Sequence, residues 1–201
     1  MSSRDQILSR VKANKPPQVK LPDVAVFEQG EDGAAEKFTE ILNAIGGGVY
    51  YVDDYQELLS ILRDNYPDHG RIYSPIPDVK ALTDCVAIEG SSGHQFADVE
   101  WAVIKGHFGV AENGAIWITG DLMEYRSLPF ICQRLAIIIK QNDILPTMHD
   151  AYRRIGDSTY SYGAFIAGPS KTADIEQSLV LGAHGPKGMA VFIMKDDSVY
   201  S

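Results

Sequence analysis

The sequence predicts an α/β domain in which helices alternate with short apolar strands and cover a largely parallel sheet. One observation is the set of amphipathic segments, which predict helices over 34–45 and from Asp53 or Asp54 onward. The other is the set of apolar runs that predict strands at 49–52, 71–74, 85–88, 134–140, 162–167 and 189–194. Because helix and strand alternate as in β–α–β units, neighbouring strands are expected to run parallel. The predicted fold class is therefore a three-layer α/β sandwich with a mixed, mostly parallel sheet.

An arm is predicted to precede this domain. Ser3–Gln6 has the spacing of a capping box, and apolar residues follow at helical spacing as far as about Ala13. The proline-rich segment 15–22 then reads as an extended linker. We therefore divide the chain into an arm, 1–33, and a domain, 34–201. The arm helix either packs on a neighbouring subunit, which would make a homo-oligomer, or folds back on its own domain.

Composition excludes several functional classes. A net charge of −9 argues against nucleic acid as the main partner. No apolar run approaches the roughly 18 residues of a membrane span, and the first residues lack a signal peptide's apolar segment, so a cytoplasmic protein is expected. Cys85 and Cys132 are far apart, which argues against an iron–sulfur or zinc site made from this chain's own cysteines. Each is expected to be a buried thiol, and no metal site is predicted.

A hairpin is predicted around Asn113-Gly114, which stands between two apolar runs. A type I′ turn needs positive φ at both central positions, and Asn-Gly suits it best. Glu112 comes immediately before the turn in an apolar neighbourhood, where a carboxylate could have a raised pKa and act as base or nucleophile. The alternative is a glutamate at a strand end with its carboxylate in water.

The segment 168–186 is the strongest candidate for a functional site. Ser170 and Thr172 are good N-cap residues, and carboxylates follow them, so a helix that ends at Gly182 is predicted. Backbone N–H groups, the two hydroxyls and the Lys171 ammonium would then converge on a phosphate or carboxylate. The alternative is an ordinary helix cap with Lys171 pointing into water.

His184 lies in a second turn of the same segment, between Ala183 and Gly185. Its ring could face the Gly168 loop and shuttle a proton, because the unperturbed pKa of histidine suits that role. The alternative is a ring that hydrogen-bonds a turn carbonyl. A metal site with Asp174 and Glu176 is not favoured, since residues two apart point in different directions on a helix.

Two stretches resemble the LUD-domain family, the lactate-utilization proteins. Gly168–Glu176 together with Leu181–Pro186 resembles the family's C-terminal signature, although the family usually has Arg in place of Lys171. Phe108–Trp117 resembles its Ala-Glu-Thr-Gly-Thr segment, although the two threonines are replaced here by asparagine and alanine. The resemblance covers about 46–201, and it is to the single-domain, C-type members of the family.

The resemblance implies a NagB/RpiA/CoA-transferase-like architecture and a subunit or accessory of a system that oxidises L-lactate to pyruvate. Partner subunits would carry the iron–sulfur clusters, and this chain would bind no cofactor. The implied candidate catalytic residues are Glu112, His184 and Asp174. The candidate residues for binding a small carboxylate or phosphate are Gly168, Ser170, Lys171, Thr172 and Gly185.

Two alternatives remain open beside this function. One is a standalone enzyme that handles acyl groups or phosphosugars with Glu112 as base or nucleophile. The other is a non-catalytic scaffold or sensor of the lactate pathway. We expect Glu112 and His184 to border one pocket with the anion-binding loop.

Overall fold

A parallel sheet forms the centre of the protein. The computed structural model describes residues 2–20, 22, 33–65, 70–83, 96–173 and 179–195. Five strands of the described chain form this sheet: Gly48–Val52 (β1), Arg71–Tyr73 (β2), Val99–Lys105 (β3), Arg134–Lys140 (β6) and Gly188–Met194 (β11). Their order is β1-β11-β6-β3-β2, and every neighbouring pair runs parallel.

A second sheet lies against this one. Its four strands are Phe108–Val110 (β4), Ala115–Thr119 (β5), Ile144–Leu145 (β7) and Gly163–Ile166 (β8), in the order β7-β4-β5-β8. β4 pairs parallel with β7, whereas the β4–β5 and β5–β8 pairs are antiparallel. A separate antiparallel pair joins Lys171–Ala173 (β9) to Leu179–Leu181 (β10).

Helices complete the layers. The described helices are Ser3–Ala13 (α1), Ala34–Ala44 (α2), Tyr55–Asn65 (α3), Pro77–Leu82 (α4), Gly120–Met123 (α5), Leu128–Ile131 (α6) and Met148–Ile155 (α7). α3 and α4 pack on one face of the parallel sheet, and α2 with the second sheet packs on the other. α7 packs on the outer face of β4 and β5. The α/β class and the mostly parallel central sheet are therefore confirmed.

The strands of the parallel sheet are apolar on both faces because both faces are covered. In β6, Leu135, Ile137 and Ile139 point towards α2 and the second sheet, whereas Ala136 and Ile138 point towards α3 and α4. β11 alternates in the same way, and its Phe192 is fully buried. The predicted strand at 162–167 is also present as β8, but it lies at the edge of its sheet and is half-buried.

The arm helix is confirmed over Ser3–Ala13, with its cap one residue earlier than predicted. Ser2 is the N-cap: its side chain accepts from the Asp5 N–H (3.2 Å), and Asp5 accepts from the Ser2 N–H (2.9 Å). No residue of α1 is buried, and Ile7, Leu8 and Val11 are each more than half exposed. α1 therefore adds no buried side chain to the core.

The prediction of a helix that ends at Gly182 is wrong. Lys171–Ala173 instead pairs antiparallel with Leu179–Leu181. The backbone of Ser170 is already engaged there, because its N–H donates to the Pro186 carbonyl (2.8 Å) and its carbonyl accepts from the Gly182 N–H (3.0 Å). Strand pairing with Leu179–Leu181, together with the hydrogen bond from Ser170 to Pro186, thus replaces the local cap. Asp174, Glu176 and the strand predicted at 85–88 lie outside the described residues.

The hairpin around Asn113-Gly114 is confirmed, but its turn differs from the predicted one. β4 and β5 pair as far as Val110 and Ala115, which leaves a loop of four residues, 111–114. Only Gly114 within this loop has positive φ (68°), and its N–H donates to the Val110 carbonyl (2.9 Å). A type I′ turn needs positive φ at Asn113 as well. Asn113 instead accepts from the Ala115 N–H through its side chain (3.0 Å).

Candidate functional site

The structure brings four of the predicted site residues to one cavity of about 240 Å³. They are Gly168, Ser170, His184 and Gly185. We call this space the signature cavity. Its remaining wall is apolar and is formed by Pro129, Phe130, Leu135, Phe165, Ile166, Ala167, Pro169, Pro186 and Met189.

Two glycines shape the signature cavity. Gly168 follows β8 with φ +69°, and a Cβ there would stand 3.1 Å from the side chain of Ile45. Gly185 packs against Ser170, where a Cβ would stand 3.1 Å from the Ser170 Cβ. The absence of a side chain at Gly185 therefore lets the turn containing His184 pack closely against Ser170.

Lys171 and Thr172 do not line this cavity. Lys171 is exposed, and its Nζ lies over the turn after α2, 3.5 Å from where a Cβ on Gly46 would stand. Thr172 lies within β9 and pairs with Val180. The predicted convergence of a hydroxyl pair and an ammonium therefore reduces to Ser170 with the ring of His184.

Glu112 does not line the signature cavity either. Its side chain is exposed, and Oε2 accepts from the N–H of Met148 (2.8 Å), the first residue of α7. Thr147 caps the same helix by accepting from the Asp150 N–H (3.2 Å). A carboxylate at the positive end of a helix stabilises that helix, which gives Glu112 a structural partner.

Replacing Glu112 is expected to weaken the start of α7. Glu112→Ala should lower the free energy of unfolding by about 0.5–1 kcal/mol, because a helix N–H loses its charged acceptor. Glu112→Gln should cost less, since the amide oxygen can still accept. Urea unfolding of the two variants measures both values, and equal stability of Glu112→Ala and the unsubstituted protein would contradict the helix-capping role.

A second cavity, of about 290 Å³, was not predicted from the sequence. We call it the β5–α7 cavity, because it lies between those elements. Its lining mixes polar and aromatic side chains: His107, Phe108, Trp117, Thr119, Asp121, Arg154, Ile155, Ser158, Thr159 and Tyr160.

Three polar side chains in this cavity form a chain of hydrogen bonds. Nε2 of His107 lies 2.5 Å from Oγ1 of Thr119, which is buried. A side-chain hydrogen bond from Thr119 lowers the pKa of the Asp121 carboxyl. Partial burial lowers the pKa of His107, more than the nearby carboxylate of Asp121 raises it. The imidazole is therefore neutral and the carboxylate ionised near neutral pH.

Arg154 is the cation of the β5–α7 cavity. Its Nη2 donates to Oδ1 of Asp143 (2.5 Å), and its Cζ lies 5.2 Å from the centre of the Phe108 ring. These two contacts fix the position of the guanidinium group. Because Asp143 engages one of its five N–H donors, the fork has further donors for a bound acceptor.

Acidification is expected to destabilise the protein partly through His107. Its folded pKa lies below the ordinary value of 6.5, so the unfolded chain binds the proton more readily. The stability that the neutral ring contributes is present above pH 6.5, and it is lost as the pH falls below that value towards the folded pKa. Between about pH 7 and pH 5, the melting temperature of His107→Gln should therefore fall less steeply than that of the unsubstituted protein. Identical slopes would contradict this role, and Asp121 does not interfere because its pKa is lowered from 3.8.

A family model identifies the class of protein, and a solved structure shares its fold. The family model for the LUD domain matches residues 90–194, just over half of the 201 residues. The chain therefore belongs to the LUD-domain family. A crystal structure of a DUF162 family protein from Deinococcus radiodurans shares the fold, with a TM-score of 0.62 and 14% identity over 83% of this chain and 99% of that one.

Several curated proteins that are similar to this chain are named lactate utilization protein C. The one from Bacillus pumilus is 33% identical over 48% of this chain and 42% of its own length. The one from Geobacillus kaustophilus is 27% identical over 76% of this chain and 65% of its own length. The one from Geobacillus thermodenitrificans is 25% identical over 96% of this chain and 80% of its own length. The first two matches thus span less than two thirds of those relatives.

None of the helices that the structure describes is long and apolar enough to cross a membrane. No group of three or more His, Cys, Asp and Glu side chains in the same part of the chain is placed to hold a metal ion.

Proposed function

We propose that the chain works in lactate utilization as a subunit or accessory of a system that oxidises L-lactate to pyruvate. Similarity to proteins named lactate utilization protein C supports the pathway. Membership of the LUD-domain family supports the same assignment. Within that system the chain binds a small carboxylate or phosphate in the signature cavity.

One observation carries the binding role: Gly168, Ser170, His184 and Gly185 come from two separate turns and line one cavity. The Ser170 hydroxyl can donate to an anion, and so can the ring of His184. Around them the wall is apolar, and polar interactions are stronger where water is partly excluded. The close contact of Gly185 with Ser170 lets the two turns approach each other.

The redox centres of the proposed system belong to its other subunits. Iron–sulfur clusters are held by cysteine thiolates, and this chain has only two cysteines. Cys132 is 2% exposed, and burial raises the pKa of its thiol to about 12. Such a thiol stays protonated at neutral pH and suits a packing role. We place the assembly in the cytoplasm.

A scaffold or sensor role is the second candidate, and the arm favours it. α1 presents Ile7, Leu8 and Val11 to solvent, and such a face suits association. The standalone-enzyme alternative receives less support, because Glu112 lies outside the signature cavity and accepts from the first N–H of α7.

A growth assay tests the pathway. A strain that lacks the chain should fail to grow on L-lactate as the sole carbon source, and the unsubstituted gene should restore growth. Unimpaired growth of the deletion strain on L-lactate, in the absence of a second copy, would overturn the proposed function.

A thermal-shift titration tests the binding role. Lactate, pyruvate and inorganic phosphate are added to the purified protein, and a ligand at 100 times its dissociation constant should stabilise it by about 2.7 kcal/mol. At least one anion should give a smaller shift in Ser170→Ala and His184→Ala, because its binding in the signature cavity is lost, whereas Lys171→Ala, which lies outside the cavity, should keep the full shift. No shift with any anion, or equal loss in all three variants, would overturn binding in the signature cavity.

A further inference from the structure

We propose that the β5–α7 cavity is a second ligand site that takes a small hydroxycarboxylate, with its hydroxyl on His107 and its carboxylate on Arg154. The proposal concerns side chains outside the signature cavity. The choice of L-lactate as the first ligand rests on the proposed function. Three observations support the site itself: the hydrogen-bond acceptor on His107, the fixed guanidinium of Arg154 and the volume of the cavity.

Hydrogen-bond polarity makes His107 an acceptor. The single hydroxyl proton of Thr119 goes to the carboxylate of Asp121. Oγ1 of Thr119 must then accept from Nε2–H of His107, 2.5 Å away. In a neutral imidazole one nitrogen is a donor and the other an acceptor, so Nδ1 of His107 carries the lone pair. A ligand that meets this nitrogen therefore has to bring a donor.

Arg154 supplies the complementary group. Its guanidinium is fixed by Asp143 and by the Phe108 ring, and the same side chain lines the cavity. A planar fork of N–H donors matches a carboxylate better than any other small anion except phosphate. The cavity thus offers a donor array from Arg154 and an acceptor from His107.

Asp121 decides between the possible anions. Its ionised carboxylate also lines the cavity and adds a second acceptor. Asp143 is the other carboxylate that acts on His107. Two fixed negative charges beside one arginine repel a doubly charged phosphate more strongly than a singly charged carboxylate. The acceptors on Asp121 and His107 then select a monocarboxylate whose hydroxyl hydrogen lies near its carboxylate.

This arrangement predicts discrimination against the corresponding oxo acid. The carbonyl oxygen of pyruvate has no proton, so it would meet the acceptors of His107 and Asp121 without forming a hydrogen bond. An unsatisfied polar group of this kind costs about 1–3 kcal/mol. The volume, about 290 Å³, lies at the small end of ligand sites and suits an acid of few carbons.

Isothermal titration of the full chain with L-lactate, pyruvate and propionate tests the proposal, and it is carried out in the Ser170→Ala background so that the signature cavity does not contribute. In that background L-lactate should bind at least tenfold more tightly than pyruvate or propionate. Arg154→Met should weaken L-lactate at least tenfold, and His107→Gln should weaken L-lactate while leaving propionate unchanged. Arg153→Met is the matched control, because Arg153 pairs with Asp150 and does not line the cavity. Its affinity for L-lactate, in the same background, should equal that of Ser170→Ala alone.

A spectroscopic readout separates ligand contact from a purely structural role of His107. ¹⁵N NMR of the imidazole should show an unprotonated Nδ1 in the free protein, and its resonance should move when L-lactate is added. The ligand-free melting temperature of each variant, measured at neutral pH, reports whether the variant is folded. If Arg154→Met is not folded, Arg154→Lys replaces it, since lysine keeps the charge but loses the fork.

Three results would overturn the second site: pyruvate binding as tightly as L-lactate, unchanged L-lactate affinity in Arg154→Met, or no L-lactate binding at all. If L-lactate binding is lost in Ser170→Ala but kept in Arg154→Met, the ligand occupies the signature cavity. That result overturns the second site and leaves the proposed function standing. If the deletion strain grows normally on L-lactate, the proposed function is overturned and the reason for choosing L-lactate is lost. The titration still tests the second site.

Discussion

Phe192→Ala is expected to lower the free energy of unfolding by about 3–5 kcal/mol. Phe192 is fully buried in β11, an interior strand of the parallel sheet that lies between β1 and β6. Its ring stacks on Tyr50 at a centroid distance of 5.3 Å and an interplanar angle of 20°. Truncation removes this contact and leaves a cavity that the covered strands cannot close.

Phe130→Ala is the matched control for this prediction. It removes the same atoms from α6, but Phe130 is 42% exposed, so the loss should stay under about 1 kcal/mol. Urea unfolding of both variants gives the comparison. If the two substitutions cost the same, the face between the sheet and α3 is not packed as the structure describes.

Gly106→Val is the second substitution with a large expected effect. Gly106 follows β3, is buried, and donates its N–H to the Ile138 carbonyl (2.8 Å). A Cβ there would stand 2.5 Å from Cγ2 of Ile116 and 3.0 Å from Cγ2 of Ile139. Valine would therefore force the two sheets apart, which should cost about 1–3 kcal/mol or more.

The control for overpacking is Gly120→Ala. A Cβ on Gly120 meets its nearest neighbour, Oγ of Ser161, at 3.6 Å, which is an ordinary contact. The melting temperature of Gly120→Ala should change little, whereas Gly106→Ala should already melt lower and Gly106→Val lower still. A series in which Gly106→Ala and Gly120→Ala melt at the same temperature would contradict the close approach of the sheets at Gly106.

The architecture could be predicted where the local pattern and the final environment agree. β6 and β11 are continuous apolar runs, and both are buried on two faces. The structure of the segment 168–186 was predicted wrongly, because its local pattern and its final environment disagree. Ser170 and Thr172 suggest a helix cap, but the pairing of Thr172 with Val180 and of Ser170 with Gly182 and Pro186 decides the structure. Local cap preferences are worth about 1 kcal/mol, and several ladder bonds outweigh them.

The candidate sites could be predicted only in part. The segment 168–186 predicted Gly168, Ser170, His184 and Gly185 as site residues, because all four lie within one short stretch of sequence. The β5–α7 cavity collects His107, Thr119 and Arg154 from separate segments, and no local motif links them. The Asn113-Gly114 hairpin pairs Phe108 with Trp117, and this register places His107 opposite Ile118, one residue away from Thr119. Regular alternation would put His107 and Thr119 on different faces. Their contact depends on a local departure from the register, in which the His107 N–H donates to the Trp117 carbonyl (2.9 Å), and nothing in the sequence indicates it.

The position of β11 has a consequence for synthesis on the ribosome. Among the described strands of the parallel sheet β1 has one neighbour, β11, and β11 also pairs with β6. Because β11 comes after every other strand of this sheet in the chain, β1 cannot join the sheet until Gly188–Met194 has left the exit tunnel. Such distant pairing slows folding and prolongs exposure of unpaired edges. A nascent chain that stops before Gly188 should therefore leave β1 unpaired and open to chaperones.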